Sequence, residues 1–251
     1  MDDHALLDAW WSNTELPRAL GSAGQGAHLV ERDGVLASVV PVCPERSVIN
    51  SVYFAEPASL VAAYGELAEA YRAAAIEAWA VWVPQADRES AAFLEARGHV
   101  LDGSPTAMGA PLDGITVAPG ELAAEVIRTP DPALLGRLND LAYGYEGSFE
   151  RALGGMSPDA GHWYLAREGG KPVCGLMIFD HGADAEVDWV ATVPEARGRG
   201  LARTLLGLAL LDARERGRTS TTLIATKLGR PVYERLGYRP LGIVEMWEHR
   251  T

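Results

Sequence analysis

Short apolar runs separated by polar turns divide the chain into hairpin-like stretches. Residues 28–40 and 163–178 each place β-forming side chains on both sides of a short polar turn that contains glycine. That arrangement is typical of a β-hairpin. The two stretches begin at His28 and Trp163, so the same pattern occurs once in each half of the chain.

A second pair of similar segments follows the hairpins. Residues 93–99 and 232–238 each predict a short helix that is stopped by a glycine and followed by a strand. Between these landmarks each half predicts a strand, a helix and a strand. The predicted ranges are 48–54, 58–74 and 78–83 in the first half, and 186–192, 201–216 and 221–226 in the second.

The repeated order predicts two copies of one α+β unit, with chance similarity of common elements as the alternative. The seam is expected between Gly109 and Gly120, a stretch that contains Pro111, Gly114 and Pro119. We therefore expect an N-terminal domain over residues 1–118 and a C-terminal domain over residues 119–251.

Composition narrows the class of protein. Of the 251 residues, 48% are hydrophobic and 22% are charged, which is typical of a folded globular protein. A chain of this length can bury a core without a disulfide or a metal. Cys43 and Cys174 match neither a CxxC motif nor a zinc spacing, and two free thiols suit the cytoplasm. The six histidines form no ligand spacing, so no metal site is expected.

The net charge, the first residues and the length of the apolar runs disfavour further classes of protein. The net charge is −12, which disfavours nucleic acid and anionic lipid and slightly favours a cationic small molecule. The first residues are acidic where a signal peptide is basic. No apolar run approaches the roughly 18–20 residues that span a bilayer. These observations predict a cytoplasmic protein with no membrane partner.

One segment carries the pattern of an anion site. A β-like run ends at Pro194, a loop follows at residues 197–200, and a helix with apolar residues at near-helical spacing begins at Leu201. The first N–H groups of a helix have no intrahelical partner, and they can bind phosphate. Gly198 and Gly200 have no Cβ, so a ligand can approach the backbone. An ordinary helix entry and a basic nucleic-acid patch are the alternatives.

The wider segment resembles the GNAT family of N-acetyltransferases. That family's signature is Gln or Arg, two residues, Gly, one residue, and then Gly or Ala, and residues 197–202 match it in full. A second block resembles the family's Ser or Thr before Gly-x-Pro-x-Tyr, followed by Leu-Gly-aromatic. Its residues here are Thr226, Gly229, Pro231, Tyr233, Leu236, Gly237 and Tyr238. The resemblance covers roughly residues 120–251.

The resemblance implies a fold and a cofactor site. The fold would be α+β, with two tandem acyl-CoA N-acyltransferase-like domains that each have a mixed, mostly antiparallel sheet and flanking helices. Strand residues 190–192 would bind the pantetheine arm of acetyl-CoA and diverge from residues 221–226. Tyr233 would protonate the departing thiolate, and Thr226 would contact the pantetheine. The implied cofactor contacts are Val190, Ala191, Thr192, Arg197, Gly198, Arg199, Gly200, Leu201, Ala202 and Thr226.

Acetyl transfer to an amine needs a base. An alkyl ammonium with a pKa of about 10.4 costs about 4–5 kcal/mol to deprotonate at pH 7. Glu186 and Asp188 are two residues apart on the strand beside the thioester, so both should point to one face and Trp189 to the other. We favour Asp188 as the base, with Glu186 next. Solvated strand-edge charges are the alternative for the carboxylates, and a core position is the alternative for Tyr233.

The N-terminal half lacks the same chemistry. Leu94 stands opposite Tyr233 in the repeat and cannot donate a proton. Residues 55–59 stand opposite the glycine loop, and Glu56 there would repel a pyrophosphate. We therefore interpret this half as a degenerate acetyltransferase-like domain that packs as a partner subunit would and walls the acceptor pocket. An unrelated α+β cap is the alternative.

The predicted function is transfer of an acetyl group from acetyl-CoA to a primary amine of a small molecule, by direct attack in a ternary complex. No cysteine in the proposed site has a base partner, so no acetyl-enzyme is expected. The protein would act as a monomer or a homodimer. The alternative is a non-catalytic acyl-CoA-binding sensor or interaction module. Candidate acceptor contacts are Tyr143, Tyr145, Glu146, Phe149 and Trp163.

Overall fold

A single mixed sheet of twelve strands forms the centre of the protein. The computed structural model describes residues 1–115, 125–128 and 131–251. The strands are β1 (His28–Arg32), β2 (Val35–Val39), β3 (Ser51–Phe54), β4 (Ala78–Pro84), β5 (Val100–Gly103), β6 (Thr106–Pro111), β7 (Glu125–Arg128), β8 (His162–Glu168), β9 (Lys171–His181), β10 (Asp184–Thr192), β11 (Ser220–Ala225) and β12 (Arg239–Arg250). Their spatial order is β1-β2-β3-β4-β12-β6-β11-β10-β9-β8-β7, and β5 pairs with β12.

Eight α-helices flank this sheet in the described ranges. They are α1 (Asp3–Ser12), α2 (Glu15–Leu20), α3 (Pro57–Ala73), α4 (Arg88–Glu95), α5 (Pro132–Tyr143), α6 (Ser148–Gly154), α7 (Leu201–Glu215) and α8 (Arg230–Glu234). None of them is both long and apolar enough to cross a bilayer.

The predicted repeat is present in the fold. Each half has an antiparallel hairpin, β1–β2 or β8–β9. Each then has a strand, a long helix and a strand that lies parallel to the first. The short helices α4 and α8 are followed by the glycines Gly98 and Gly237, both with positive φ, which favours glycine. The mixed, mostly antiparallel sheet with flanking helices confirms the predicted fold class.

The two halves exchange their last strands. Strand β6 of the first half pairs with β11 of the second, while residues 244–250 of β12 pair with β4 of the first. The two exchanged strands also pair with each other, because Arg239 lies opposite Gly109. The equivalent pair in the repeat, Glu248 with Val100, joins β12 to β5. Each half therefore completes the sheet of the other around a pseudo-twofold axis.

The segment between the halves starts later than the sequence pattern indicates. Gly109 and Pro111, which we predict to be in the seam, belong to β6 and pair with β11. Their alternating small and apolar side chains fit a buried strand better than a linker. The predicted domain boundary between residues 118 and 119 lies outside the described residues.

Helix α1 crosses the centre of the sheet, where the halves meet. It packs over β6, β11 and β12. Gly109 leaves room for this packing, because a Cβ there would lie 3.3 Å from the Cβ of Leu6. Trp10 is buried in a small apolar cluster with Trp82, Ala107 and Val244. Residues from both halves thus form one core beneath α1.

Candidate active site

A β-bulge interrupts strand β10 at the position predicted for the thioester. Asp188 pairs with Met177 and Ala191 pairs with Gly175, so the register shifts between them. Trp189 has a φ of +53°, which is unusual for a residue with a large side chain. Its ring lies 5.3 Å from that of Phe149 in α6. The bulge interrupts the regular side-chain alternation of β10, on which the prediction for Trp189 depends.

Strands β10 and β11 separate just before this bulge. They pair only from Asp184–Ser220 to Glu186–Thr222. Further along, residues 223–225 of β11 pair with β6, and residues 191–192 of β10 pair with β9. The backbone edges of the two parallel strands therefore diverge. The gap lies where the family resemblance predicts the pantetheine arm.

The glycine loop opens the N-terminus of α7 towards this gap. Gly198 has a φ of +74° and Gly200 a φ of +78°. A Cβ at either position would meet no atom within 4 Å, so the space above the backbone is free. The first backbone N–H of α7 with a partner is that of Thr204, which donates to Gly200 O. The preceding amides are available to an anion.

The side chains of the two arginines in the loop, Arg197 and Arg199, bind other parts of the protein. Arg197 donates to Thr192 O at 3.2 Å and to Ala142 O, which ties the loop to the ends of β10 and α5. Arg199 forms an ion pair with Glu168. Both guanidinium groups are thus engaged within the protein. An anion at this loop would therefore meet mainly backbone N–H groups, because the charges of Arg197 and Arg199 are used within the protein.

Tyr233 lies at the other side of the gap, close to Thr226. The phenol belongs to α8 and is largely buried. Burial, together with the nearby Tyr143 and Asp188, raises its pKa, so the hydroxyl stays protonated at neutral pH. A Cβ at Gly229 would lie 3.1 Å from the Tyr233 ring and 3.4 Å from the Thr226 hydroxyl. Gly229 therefore allows both groups to approach the same turn.

Three carboxyl groups alternate along one face of β10, and they differ in hydrogen bonding. Asp184 accepts hydrogen bonds of 2.6 Å from both the Ser220 and Thr222 hydroxyls. Among the described residues, no hydrogen bond reaches Asp188 Oδ2, although that atom is buried. Asp184 is a satisfied structural residue, whereas Asp188 has the unpaired oxygen of a candidate base.

The surroundings of the two candidate bases, Glu186 and Asp188, change their pKa values to different extents. Burial raises the pKa of Glu186 well above its ordinary value, and the charges of Asp188 and Asp184 raise it further. Burial also raises the pKa of Asp188, to about 7. Asp188 is half-buried, while Glu186 is only 6% exposed. The pKa of both carboxyl groups is therefore raised, and that of Asp188 lies in the range in which a base can act at neutral pH.

Asn139 of α5 supports the bulge, and sequence reasoning missed it. Its side-chain amide donates to Trp189 O at 3.1 Å and to Leu135 O at 3.0 Å. The first bond holds the carbonyl that the bulge turns out of the strand ladder. A buried asparagine in an apolar helix face was the available signal, but its partner is 50 residues away.

Replacing Asn139 with alanine is expected to lower the acetyl transfer that the family resemblance implies about tenfold, because a misplaced strand amide loses its alignment with the reacting carbonyl. The measurement is kcat and the Kd for acetyl-CoA. Asn50→Ala is the matched control, since Asn50 is equally buried and accepts from Val40 N while donating to Cys43 O in the other half. Equal losses of activity in both variants would argue against a specific role for Asn139.

Most of the predicted acceptor contacts form one aromatic row. Tyr143 stacks on Tyr145, Tyr145 contacts Phe149, and Phe149 contacts Trp189. Arg46 of the N-terminal half lies over the Tyr145 ring at 3.8 Å. Glu146 is exposed beside this row. Trp163 is not part of it: the residue is buried in the core, and its indole donates to Pro158 O at 2.7 Å.

The N-terminal half differs from the C-terminal half at the positions equivalent to the predicted cofactor contacts. Its parallel strands pair at Ser51–Ala80 and Val52–Val81. The acidic Glu56 takes the N-cap position of α3, where α7 has Gly200. Leu94 is fully buried where the repeat would place a tyrosine. Apolar packing and a negative charge occupy the places of the cofactor contacts.

A surface cavity of about 460 Å³ lies elsewhere, between β7, β8 and α7. It contains none of the predicted site residues, and its Arg128 and Asp212 form an ion pair with each other. We assign it no chemical role. Across the described ranges, no cluster of three or more metal-ligating side chains was found.

Comparisons with known proteins agree with this geometry. Residues 159–240 match the family model described as an acetyltransferase (GNAT) domain. A GCN5-related N-acetyltransferase from Kribbella flavida has a similar fold, with a TM-score of 0.66, 17% identity and coverage of 94% of this chain and 96% of that one. A GCN5-related N-acetyltransferase from Sphaerobacter thermophilus also has a similar fold. Its TM-score is 0.60 and its identity is 17%, and 98% of this chain and 93% of that chain are covered.

A protein made of two such units also has this fold. A tandem GNAT protein from the clavulanic acid biosynthesis pathway has a TM-score of 0.62 and 15% identity, and 99% of this chain and 96% of that chain are covered. No curated protein matches the sequence significantly. The similarity to solved structures extends over both halves, whereas the family match lies within the second.

Proposed function

We propose that this chain, whose residues 159–240 match the acetyltransferase (GNAT) domain model, transfers the acetyl group of acetyl-CoA to a primary amine of a small molecule. The family match and the shared fold support acyltransferase activity in general. The more specific assignment rests on the residues of the gap. The divergence of β10 and β11 beside the open glycine loop is the observation that carries it.

The gap residues fit an acyl-CoA. Backbone amides from Arg197 to Ala202 bind the pyrophosphate, and the two glycines let it approach. The edge of β10 at Val190, Ala191 and Thr192 offers backbone groups to the pantetheine arm. Thr226 stands at the end of the opposite strand, and its hydroxyl already accepts from Gly229 N at 3.2 Å. That bond leaves the Thr226 hydroxyl its proton and one lone pair for a ligand.

The reaction follows from the groups around the bulge. Asp188, directly or through water, removes a proton from the acceptor ammonium. The amine nitrogen then forms a bond to the thioester carbonyl carbon, while an amide at Val190 or Ala191 donates to the carbonyl oxygen. The C–S bond breaks, and Tyr233 gives its proton to the sulfur. The amide nitrogen loses its remaining extra proton to the Tyr233 oxygen through solvent, so one proton is released overall.

Direct attack is favoured over an acetyl-enzyme. Cys174 is the cysteine nearest to the bulge, and its thiol lies 3.2 Å from the Thr192 hydroxyl. Burial raises the pKa of this thiol to about 11, so it is protonated and weakly nucleophilic at neutral pH. No general base contacts it among the described residues.

Calorimetry of the purified protein with acetyl-CoA tests the proposal. We expect one site per chain with micromolar affinity, because the C-terminal half alone has the open loop and the gap. Release of CoA on addition of primary amines would then establish transfer. Two sites would contradict the assignment of an empty N-terminal half. Absence of binding would refute the proposed function as a whole.

A further inference from the structure

We propose that the two halves share one acceptor site, in which Glu186 and Asp188 face Trp10, Tyr53 and Trp82 to bind a primary ammonium that carries a hydrogen-bond-accepting oxygen. This inference rests on the proposed function and names its substrate class. It assigns a binding role to three residues of the half that lacks the cofactor site.

The carboxyl groups supply one side of this site. Among the described residues, Asp188 Oδ2 is buried without a hydrogen bond, and the Glu186 side chain is buried on the same strand. The pairing next to them is complete, because Asp184 binds two hydroxyl groups. Buried carboxyl oxygens without partners call for a donor. An ammonium group offers three donors and a positive charge.

The indole N–H groups of Trp10 and Trp82 are donors that need a hydrogen-bond acceptor. Trp10 and Trp82 are each only 3% exposed, and neither indole N–H has a partner. Both residues belong to the cluster beneath α1. The Trp10 indole lies against the Glu186 carboxyl and lowers its pKa slightly, although its geometry falls short of a hydrogen bond. A bound oxygen would satisfy these donors, since a buried unpaired donor costs about 1–3 kcal/mol.

Tyr53 is a further aromatic side chain that the N-terminal half contributes beside Trp82. Its ring centroid lies 6.5 Å from that of Trp82. Burial, and then the charges of Glu186 and Asp188, raise the pKa of its phenol. The pairing of the parallel strands relates Tyr53 to one of the two carboxyl groups. Ser51 pairs with Ala80 as Glu186 pairs with Thr222, so Tyr53 is the repeat equivalent of Asp188.

The composition of this site selects the ligand chemistry. Two carboxyl groups favour a cation and repel an anionic acceptor. The aromatic rings of Trp10, Tyr53 and Trp82 add faces that attract an ammonium group. The unpaired indole donors discriminate an oxygen from a methylene of the same size. An amino alcohol matches all three requirements, whereas an alkylamine matches two and an amino acid is repelled.

The experiment uses matched amines with the full chain at saturating acetyl-CoA. Ethanolamine and propylamine have equal numbers of heavy atoms, as do 3-aminopropanol and butylamine, and glycine supplies the anionic case. Release of CoA gives kcat/KM for each. We expect each amino alcohol to exceed its alkylamine about tenfold, which corresponds to one hydrogen bond of about 1.4 kcal/mol, and glycine to react most slowly.

Variants test the contribution of the N-terminal half. Trp10→Phe and Trp82→Phe keep the ring and remove the N–H, so the preference for amino alcohols over alkylamines should fall towards one while the Kd for acetyl-CoA is unchanged. Trp11→Phe is the control on the same helix, because its indole is not among the buried unpaired donors. A merely structural defect would slow both amines equally and leave their ratio intact.

The outcomes separate this inference from the proposed function. Failure to bind acetyl-CoA refutes both the proposed function and the acceptor site, which depends on it. Binding of acetyl-CoA with no preference for amino alcohols, or with a preference that Trp10→Phe and Trp82→Phe leave unchanged, overturns the shared site and leaves the proposed function standing. Equal transfer to glycine and ethanolamine also overturns it.

Discussion

Replacing Gly200 with glutamate is expected to weaken acetyl-CoA binding by about 100-fold or more. The new carboxylate would stand where the amides at the start of α7 face the pyrophosphate. Two like charges about 4 Å apart near a protein surface repel by about 4 kcal/mol, which exceeds the 2.7 kcal/mol of a 100-fold change. Calorimetry with acetyl-CoA measures the effect, and thermal unfolding shows that the variant is folded.

Gly217→Glu is the matched control for this prediction. Gly217 has a φ of +88°, and a Cβ there would meet no atom within 4 Å. The control therefore carries the same charge and a similar backbone strain just beyond the far end of α7. We expect it to bind acetyl-CoA as the unchanged protein does. Equal binding by Gly200→Glu and the control would show that the α7 N-terminus is not the pyrophosphate site.

Replacing Asp188 with asparagine is expected to lower kcat/KM for the amine by about 10²–10⁴-fold, the range typical of a lost general base. Asparagine keeps the size of the side chain, so the Kd for acetyl-CoA should stay within about twofold of its original value. The combination distinguishes an enzyme from a non-catalytic acyl-CoA sensor. A sensor would tolerate Asp188→Asn and lose its cellular function only with Gly200→Glu.

The pH profile identifies the carboxyl group. Asp188 acts as a base only when ionised, and burial raises its pKa to about 7. The kcat/KM of the unchanged protein should therefore rise with pH through about 7 and be lost below it. Asp188→Asn should remove this limb and retain the steeper dependence on the amine's own ionisation near pH 10. If Glu186→Gln removes the limb instead, Glu186 is the base.

Local pattern predicted most elements of the fold. The hairpins, the glycine stops and the long helix at Leu201 depend on residues close together in the chain, so they can be inferred from sequence. The glycine loop was likewise evident, because its chemistry lies in six consecutive residues. The strand divergence followed from family resemblance, and the pairing of β10 with β11 agrees with it.

Long-range features could not be inferred in the same way. The exchange of β6 and β12 leaves the alternation of each strand unchanged, so no local pattern distinguishes it from separate sheets. The bulge at Trp189 depends on an amide from Asn139, 50 residues earlier. Trp10 belongs to the short helix α1, where an aromatic side chain ordinarily packs in the core. Its position against Glu186 depends on where α1 crosses the sheet.

The strand exchange also has a consequence for how the protein folds. Strand β12 contributes residues 239–243 to its pairing with β6 and residues 244–250 to its pairing with β4, so its far end lies about 170 residues along the chain from its partner. Such distant contacts require long loops to close before they stabilise anything, which slows folding. During synthesis the first half emerges with the open edge of β4 exposed until the last residues arrive. Neither half can reach its final state alone, and the two are expected to unfold as one cooperative unit.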